Sequence, residues 1–268
     1  MSEARDKVTL PALASMKKKG RPISMLTAYD ASLASRIDKA GVDCVLVGDS
    51  LGNVIQGRDS TLPVTMDHMI YHVEAVRRGI EQAMLLADMP FLSYHDRSTA
   101  MGNAGRLMRA GAEMVKLEGG AAIVPLVAEL VAQGIPVCGH LGLTPQHVHQ
   151  LGGYRVQGRD EEPARVLRED ALALEAAGAG LLVLECVPAE LAAAVTRSLQ
   201  IPVIGIGAGP SVDGQVLVLY DVLGISVGRR PKFVRDFLAG SDSIDAALAA
   251  FVAAVKEGTF PGPEHSYT

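Results

Sequence analysis

The chain has 268 residues, 49% hydrophobic and 21% charged, with a formal net charge of −5. This balance fits a globular protein with a large core, and it offers no clustered positive footprint for nucleic acid beyond Lys17, Lys18 and Lys19. No apolar run approaches the ~20 residues that span a membrane, and MSEARDKVTL lacks the charged-then-apolar pattern of a secretion signal, so a cytosolic protein is expected.

In chain order, residues 1–22 read as a leading helical extension, with the three lysines at a helix end whose dipole favours cations. Eight apolar runs follow: ISMLTAYD (23–30), CVLVGDS (44–50), AMLLADMPF (83–91), MVKLEGG (114–120), PVCGHLG (136–142), LLVLECV (181–187), PVIGIGAG (202–209) and QVLVLYD (215–221). Short and almost continuously apolar, they read as strands covered on both faces. Between most of them lie helix-like segments such as ASLASRIDKAG and EPARVLREDALALEAAG. Several of these close on a glycine, at Gly41, Gly111, Gly134 and Gly178.

GGYRVQGR (152–159) is a glycine-punctuated loop and a candidate lid. GIGAG (205–209) lacks the third spaced glycine of a dinucleotide fingerprint and reads as a loop that lets backbone approach a ligand. Residues 242–257 read as a final amphipathic helix, and the tail TFPGPEHSYT (259–268) as a loosely held end or a subunit contact. No linker divides the chain, so one domain over residues 1–268 is expected. Alternating helices and eight parallel strands predict a (β/α)8 barrel rather than an open doubly wound sheet. Cys44, Cys138 and Cys186 lie in or beside strand segments and are expected to be reduced.

The polar residues recur at one place. Asp49 ends the second run, Asp88 the third, Lys116 and Glu118 the fourth, His140 the fifth and Glu185 the sixth. In a parallel barrel the carboxyl ends of the strands meet at one face, so these six are expected on one arc. Residues two apart point the same way, which pairs Lys116 with Glu118. An interior lysine keeps its charge only beside carboxylates or an anionic substrate. Each residue alone has a plainer reading: Asp49 as a helix cap, Asp88 as a turn residue before Met89-Pro90, Lys116 with Glu118 as a structural pair, His140 as a core histidine, Glu185 as part of a buried ion pair. Their joint placement at successive strand ends disfavours invoking each separately.

Carboxylates without a thiolate or multi-histidine cluster select a hard cation, Mg2+ first. The histidines of QHVHQ (146–150) have no second cluster at ligand spacing, so zinc is not expected there. Asp49 and Asp88 are the best direct ligands, with Glu118 completing the shell directly or through water. A cation held so could polarise a small 2-oxo acid and stabilise its enolate. Lys116 would offset the substrate's charge, His140 could donate to its oxygens, and Glu185 remains as the base, its pKa raised by partial desolvation.

TAYDAS (27–32), VGDSLGNVIQGRDSTLPVT (47–65), KLEGG (116–120), CGHLGLTPQ (138–146) and GIGAGPSVDGQVLVLYDVLG (205–224) are similar to motifs of the ketopantoate hydroxymethyltransferase family. The resemblance covers roughly residues 5–262. It implies a (β/α)8 barrel that transfers a hydroxymethyl group from 5,10-methylenetetrahydrofolate to 3-methyl-2-oxobutanoate, giving 2-dehydropantoate for pantothenate and coenzyme A synthesis. It also implies a Mg2+ site at Asp49, Asp88 and Glu118, oxo-acid contacts from Asp49, Ser50, Asp88 and Lys116, and His140 at the matching active-site position. Glu185 is implied as proton acceptor, and a homodecamer as the assembly. Two rivals remain at this point: a Mg2+-dependent lyase or mutase of the phosphoenolpyruvate/isocitrate lyase type using Cys138 as acid or base, and a barrel that binds metal or oxo acid without catalysis.

Overall fold

The computed structural model describes residues 5–228 and 230–268. Residues 1–4 of the expected N-terminal extension lie outside the described residues; its helix α1 spans Leu10–Lys18. The eight apolar runs each form a strand: β1 Ile23–Thr27, β2 Cys44–Val47, β3 Met84–Asp88, β4 Met114–Glu118, β5 Val137–Gly142, β6 Leu181–Glu185, β7 Val203–Ile206 and β8 Gly214–Leu217. All neighbouring pairs are parallel, and β1 closes on β8 to give a barrel in the order β1 to β8.

Helices α2 (Ala31–Lys39), α4 (Met66–Arg77), α5 (Arg97–Ala110), α6 (Val124–Ala132), α8 (Glu161–Ala176) and α9 (Ala189–Ser198) connect successive strands from β1 to β7. Short turns of helix, α3 (Leu51–Val54), α7 (Val148–Leu151) and α10 (Leu219–Val222), follow β2, β5 and β8, and α11 (Ile244–Lys256) comes last. Gly41, Gly111, Gly134 and Gly178 all have positive φ, and at Gly111, which caps α5, φ is 114°. A side chain there would pay a steric penalty that glycine avoids.

Strand parity sorts the side chains. Lys116 and Glu118, and Val183 and Glu185, face the cavity at the barrel mouth. The alternate residues Leu85, Val115, Leu117, Leu182 and Leu184 are fully buried in the apolar core. Each such leucine or valine contributes about 1.5–3 kcal/mol relative to exposure, so a one-residue slip would exchange core for site and is strongly disfavoured.

Two expectations change, one of them in the loop 207–213 that joins β7 to β8, where Gly207 and Gly209 have positive φ. Those glycines admit the chain itself rather than a ligand: a Cβ at Gly207 would meet Phe233 at 2.8 Å, and one at Gly209 would meet Ala189 at 2.5 Å. The tail 259–268 is docked on the barrel, with Phe260 buried and Ala189 N donating to Tyr267 O at 3.0 Å.

Candidate active site

Strand register assembles the polar residues pairwise. Asp88 lies opposite Lys116, Glu118 opposite His140, and Gly142 opposite Glu185. One cavity of about 960 Å3 at the carboxyl ends of the strands is lined by Asp49, Ser50, Asp88, Lys116, Glu118, His140 and Glu185. All seven residues singled out in the sequence therefore share one pocket.

Lys116 is the positive centre. Its Nζ stands 2.6 Å from Asp88 Oδ1 and 4.0 Å from Glu118 Oε1. Burial disfavours its charge, but Asp88, Glu118 and Asp49 outweigh burial and raise its pKa above the ordinary lysine value. His140 bridges the two glutamates: Nδ1 is 3.1 Å from Glu118 Oε1, and Nε2 is 3.3 Å from Glu185 Oε2. Burial, then Lys116, lowers the imidazole pKa, which favours its neutral form. Its Nε2 has no aligned hydrogen-bond partner among the described residues, so it can serve a ligand oxygen.

Asp49 does not cap a helix. Helix α3 begins after Ser50, which makes no side-chain cap bond; Ser50 Oγ pairs instead with Tyr29 Oη at 2.8 Å. The Asp49 amide donates to Asp88 Oδ2 at 3.0 Å, so the two acids are locked side by side. Burial, then Asp88 and Glu118, pushes the Asp49 carboxyl well above the usual range. Burial likewise lifts Glu118 to about 7, against the pull of Lys116.

Four carboxyl groups here face one ammonium and a histidine held towards neutrality. A divalent cation would offset that negative excess. The residues fit a hard cation at the Asp49–Asp88 pair. They do not, as arranged, form a three-carboxylate cage, because Glu118 is engaged by His140 at one oxygen and by the Gln146 amide, 3.0 Å away, at the other. Among the described residues no three His, Cys, Asp or Glu side chains converge in a coordination arrangement, and that includes the histidines of 146–150.

Glu185 is the most accessible acid of the cluster. Its side chain is 15% exposed, against 4% for Asp88 and 1% for Glu118. Burial raises its pKa, with His140 opposing. The next residue, Cys186, is left-handed at φ 49°, a conformation that costs about 1–3 kcal/mol in a non-glycine residue. Cys138 does not line the cavity; it is fully buried, and burial pushes its thiol up to about 12. That is a poor setting for the acid–base role the lyase rival requires.

Sequence reasoning missed Gln146. Its Nε2 donates to Asp49 Oδ2 and Met89 O, both at 2.9 Å, and its Oε1 accepts from Tyr94 Oη at 2.6 Å. One residue after β5 thereby orients two acids, Asp49 through its side chain and Glu118 through its backbone amide. The signal was the glutamine of GHLGLTPQ, a polar residue held in a proline turn beside the site. The loop 152–159 contributes Tyr154 to the cavity lining, and Gln157 N donates to Cys186 O at 2.9 Å.

Comparison with known proteins agrees with this architecture. Solved structures share the fold: phosphonopyruvate hydrolase, in a complex with oxalate and Mg++, aligns at a TM-score of 0.60 with 13% identity over 78% of this chain and 80% of that one. A putative phosphonomutase from Burkholderia cenocepacia aligns at 0.64 with 17% identity, over 80% and 94%. In sequence the chain is 56% identical to a 3-methyl-2-oxobutanoate hydroxymethyltransferase of Ralstonia nicotianae, covering 98% of this chain and 96% of that protein. It is 59% identical to the one of Aromatoleum aromaticum, covering 97% of each. Residues 7–263 match the family described as ketopantoate hydroxymethyltransferase. By that match over residues 7–263 and by those identities over nearly the whole length, the chain belongs to the ketopantoate hydroxymethyltransferase family.

Proposed function

We propose that the chain works as one barrel domain that transfers a hydroxymethyl group from 5,10-methylenetetrahydrofolate to 3-methyl-2-oxobutanoate, giving 2-dehydropantoate in the route to pantothenate and coenzyme A. The observation that carries this reading is the family match over residues 7–263, at 56% and 59% identity to two named relatives. The atoms balance if water supplies the hydroxyl group: the methylene carbon joins C3 of the oxo acid, and tetrahydrofolate leaves.

Asp49 and Asp88 would hold Mg2+, with Glu118 completing the shell through water or after turning from His140. When bound, the cation withdraws charge from the oxo group and makes C3 more acidic. Ser50 and Lys116 orient the oxo acid, Lys116 offsetting its carboxylate. Glu185 takes the proton from C3, a task suited to a carboxylate whose pKa is raised by burial. His140, whose Nε2 lies 3.3 Å from Glu185 Oε2, flanks the carboxyl group and fixes its position. The buried cavity keeps bulk water from quenching the enolate.

The chain is taken to act in the cytosol as a homo-oligomer, a decamer by family resemblance. Among the described residues no helix is long and apolar enough to cross a membrane. Incubation with 3-methyl-2-oxobutanoate, Mg2+ and methylenetetrahydrofolate should yield 2-dehydropantoate. Folded protein that binds the oxo acid but forms no product would defeat the reading, and light scattering tests the assembly.

A further inference from the structure

The C-terminal segment supplies a piece of cavity wall that the acid cluster does not account for. Tyr267 lines the cavity with Glu185 and Cys186, and it lies beyond the family match at 7–263. Three contacts seat it. Ala189 N donates to Tyr267 O at 3.0 Å. Lys232 Nζ donates to Ser266 O and stands 5.3 Å from the centroid of the Tyr267 ring. Gly207 leaves room for the ring, since a Cβ there would lie 3.1 Å from Tyr267 Cε2.

The ring abuts the turn that carries Glu185. Cys186 follows Glu185 in a left-handed conformation, and Val187 N donates to Gly207 O at 3.2 Å. Cys186 is held by its own amide to Ile206 O at 2.8 Å and by its carbonyl to Gln157 N at 2.9 Å. Its thiol neighbours the Tyr267 hydroxyl. Strained residues persist only where their surroundings over-determine them, and Tyr267 closes the side of this turn that faces β7.

We propose that Tyr267 is a positioning residue for Glu185: its ring braces the Glu185–Cys186 turn and keeps water off that flank of the carboxylate. The proposal rests on Glu185 being the proton acceptor. The bracing is by the shape of the ring against Gly207, whose carbonyl accepts from Val187 N, so phenylalanine, which keeps the ring and loses the hydroxyl contact to Cys186, should serve in its place.

Solvent-deuterium exchange at C3 of 3-methyl-2-oxobutanoate, with Mg2+ and without folate, separates the two readings on the full chain. Calorimetric titration with the oxo acid on the same samples counts competent sites, so turnover is expressed per site. Tyr267→Ala should lose at least about fivefold in exchange per site with oxo-acid Kd within about twofold, and Tyr267→Phe should stay within about twofold on both. A smaller loss in Tyr267→Ala, an equal loss in Tyr267→Phe, or an effect confined to Kd would overturn the proposal. If Tyr267→Ala does not fold, Tyr267→Leu should lose at least about threefold in exchange per site relative to Tyr267→Phe, and exchange equal to that of Tyr267→Phe would be equally fatal. Glu185→Gln checks the underlying reading: persisting exchange there removes Glu185 as base, whereas its loss there beside normal exchange in Tyr267→Ala removes Tyr267 alone.

Discussion

The two ends of the barrel place acids at matching positions and treat them in opposite ways. At the amino ends, Asp43 precedes β2, Glu113 precedes β4 and Asp213 precedes β8. Each has its own cations: Arg5 at 2.7 Å and Lys256 for Asp43, Lys7 at 2.7 Å for Glu113, Lys17 at 2.8 Å for Asp213. Each also accepts a backbone amide from the neighbouring strand, at Ser24, Leu85 and Val203. At the carboxyl ends, Asp49, Asp88, Glu118 and Glu185 line one cavity, and Lys116 stands within 4.0 Å of Asp88 and Glu118. The saturated end closes the barrel; the unsaturated end keeps an electrostatic demand that ligands can satisfy.

Substitutions at the two ends should therefore separate activity from stability. The largest effect is expected for Glu185→Gln, which should cut C3 exchange by about 10²–10⁴-fold while Mg2+ and the oxo acid still bind; exchange within tenfold of the unaltered chain would count against the unsaturated end as the reacting one. Next, Asp49→Ala and Asp88→Ala should weaken Mg2+ binding by more than Gln146→Leu, which should cost about 10–100-fold by freeing Asp49 while the backbone amide still holds Glu118. Calorimetry with Mg2+ reads all three, and unchanged affinity in the two aspartate variants breaks the metal assignment.

At the other end, Asp43→Asn should leave turnover per folded molecule unchanged and cost about 2 kcal/mol. That is less than for a fully buried pair, because Arg5 and Lys256 are 30% and 32% exposed. The melting temperature should drop by about 4–8 °C; lost turnover with normal melting would erase the contrast between the ends. The smallest effect is a pH slope. With the Glu118 pKa lifted from 4.5 to about 7, the folded chain holds this proton more tightly than the unfolded one between those values. Its contribution is thus full below 4.5 and lost as pH rises through about 7. In chelator, the melting temperature should fall more steeply from about pH 5 to about pH 8 for the unaltered chain than for Glu118→Gln. Added Mg2+ should reduce the difference, and parallel curves in chelator would show that Glu118 does not titrate there.

The amino end was hardly legible in the sequence, whereas the carboxyl end was. Asp49, Asp88, Glu118 and Glu185 interrupt apolar runs, and an interruption repeated at strand ends is a local signal. Asp43 and Asp213 precede their strands without such contrast, and their partners Arg5, Lys256 and Lys17 sit 38, 213 and 196 residues away. Gln146 was hidden for the same reason, since its bonds to Asp49 and Met89 cross 97 and 57 residues. What the glycines of the crossover 207–213 make room for went unforeseen, because glycine pattern alone cannot say whether backbone makes room for a ligand or for Tyr267 and Phe233.

By itself the sequence determined which segments are strands, that they are covered on both faces, and that their ends deliver acids to one place. Apolar run length, strand parity and glycine stops are short-range properties that survive without knowing the partners. Tertiary structure alone decided how those acids pair, that Glu118 turns to His140 and Gln146 rather than into a cage, and that the tail walls the pocket. Those outcomes depend on ångström distances between residues brought together only when β1 closes on β8.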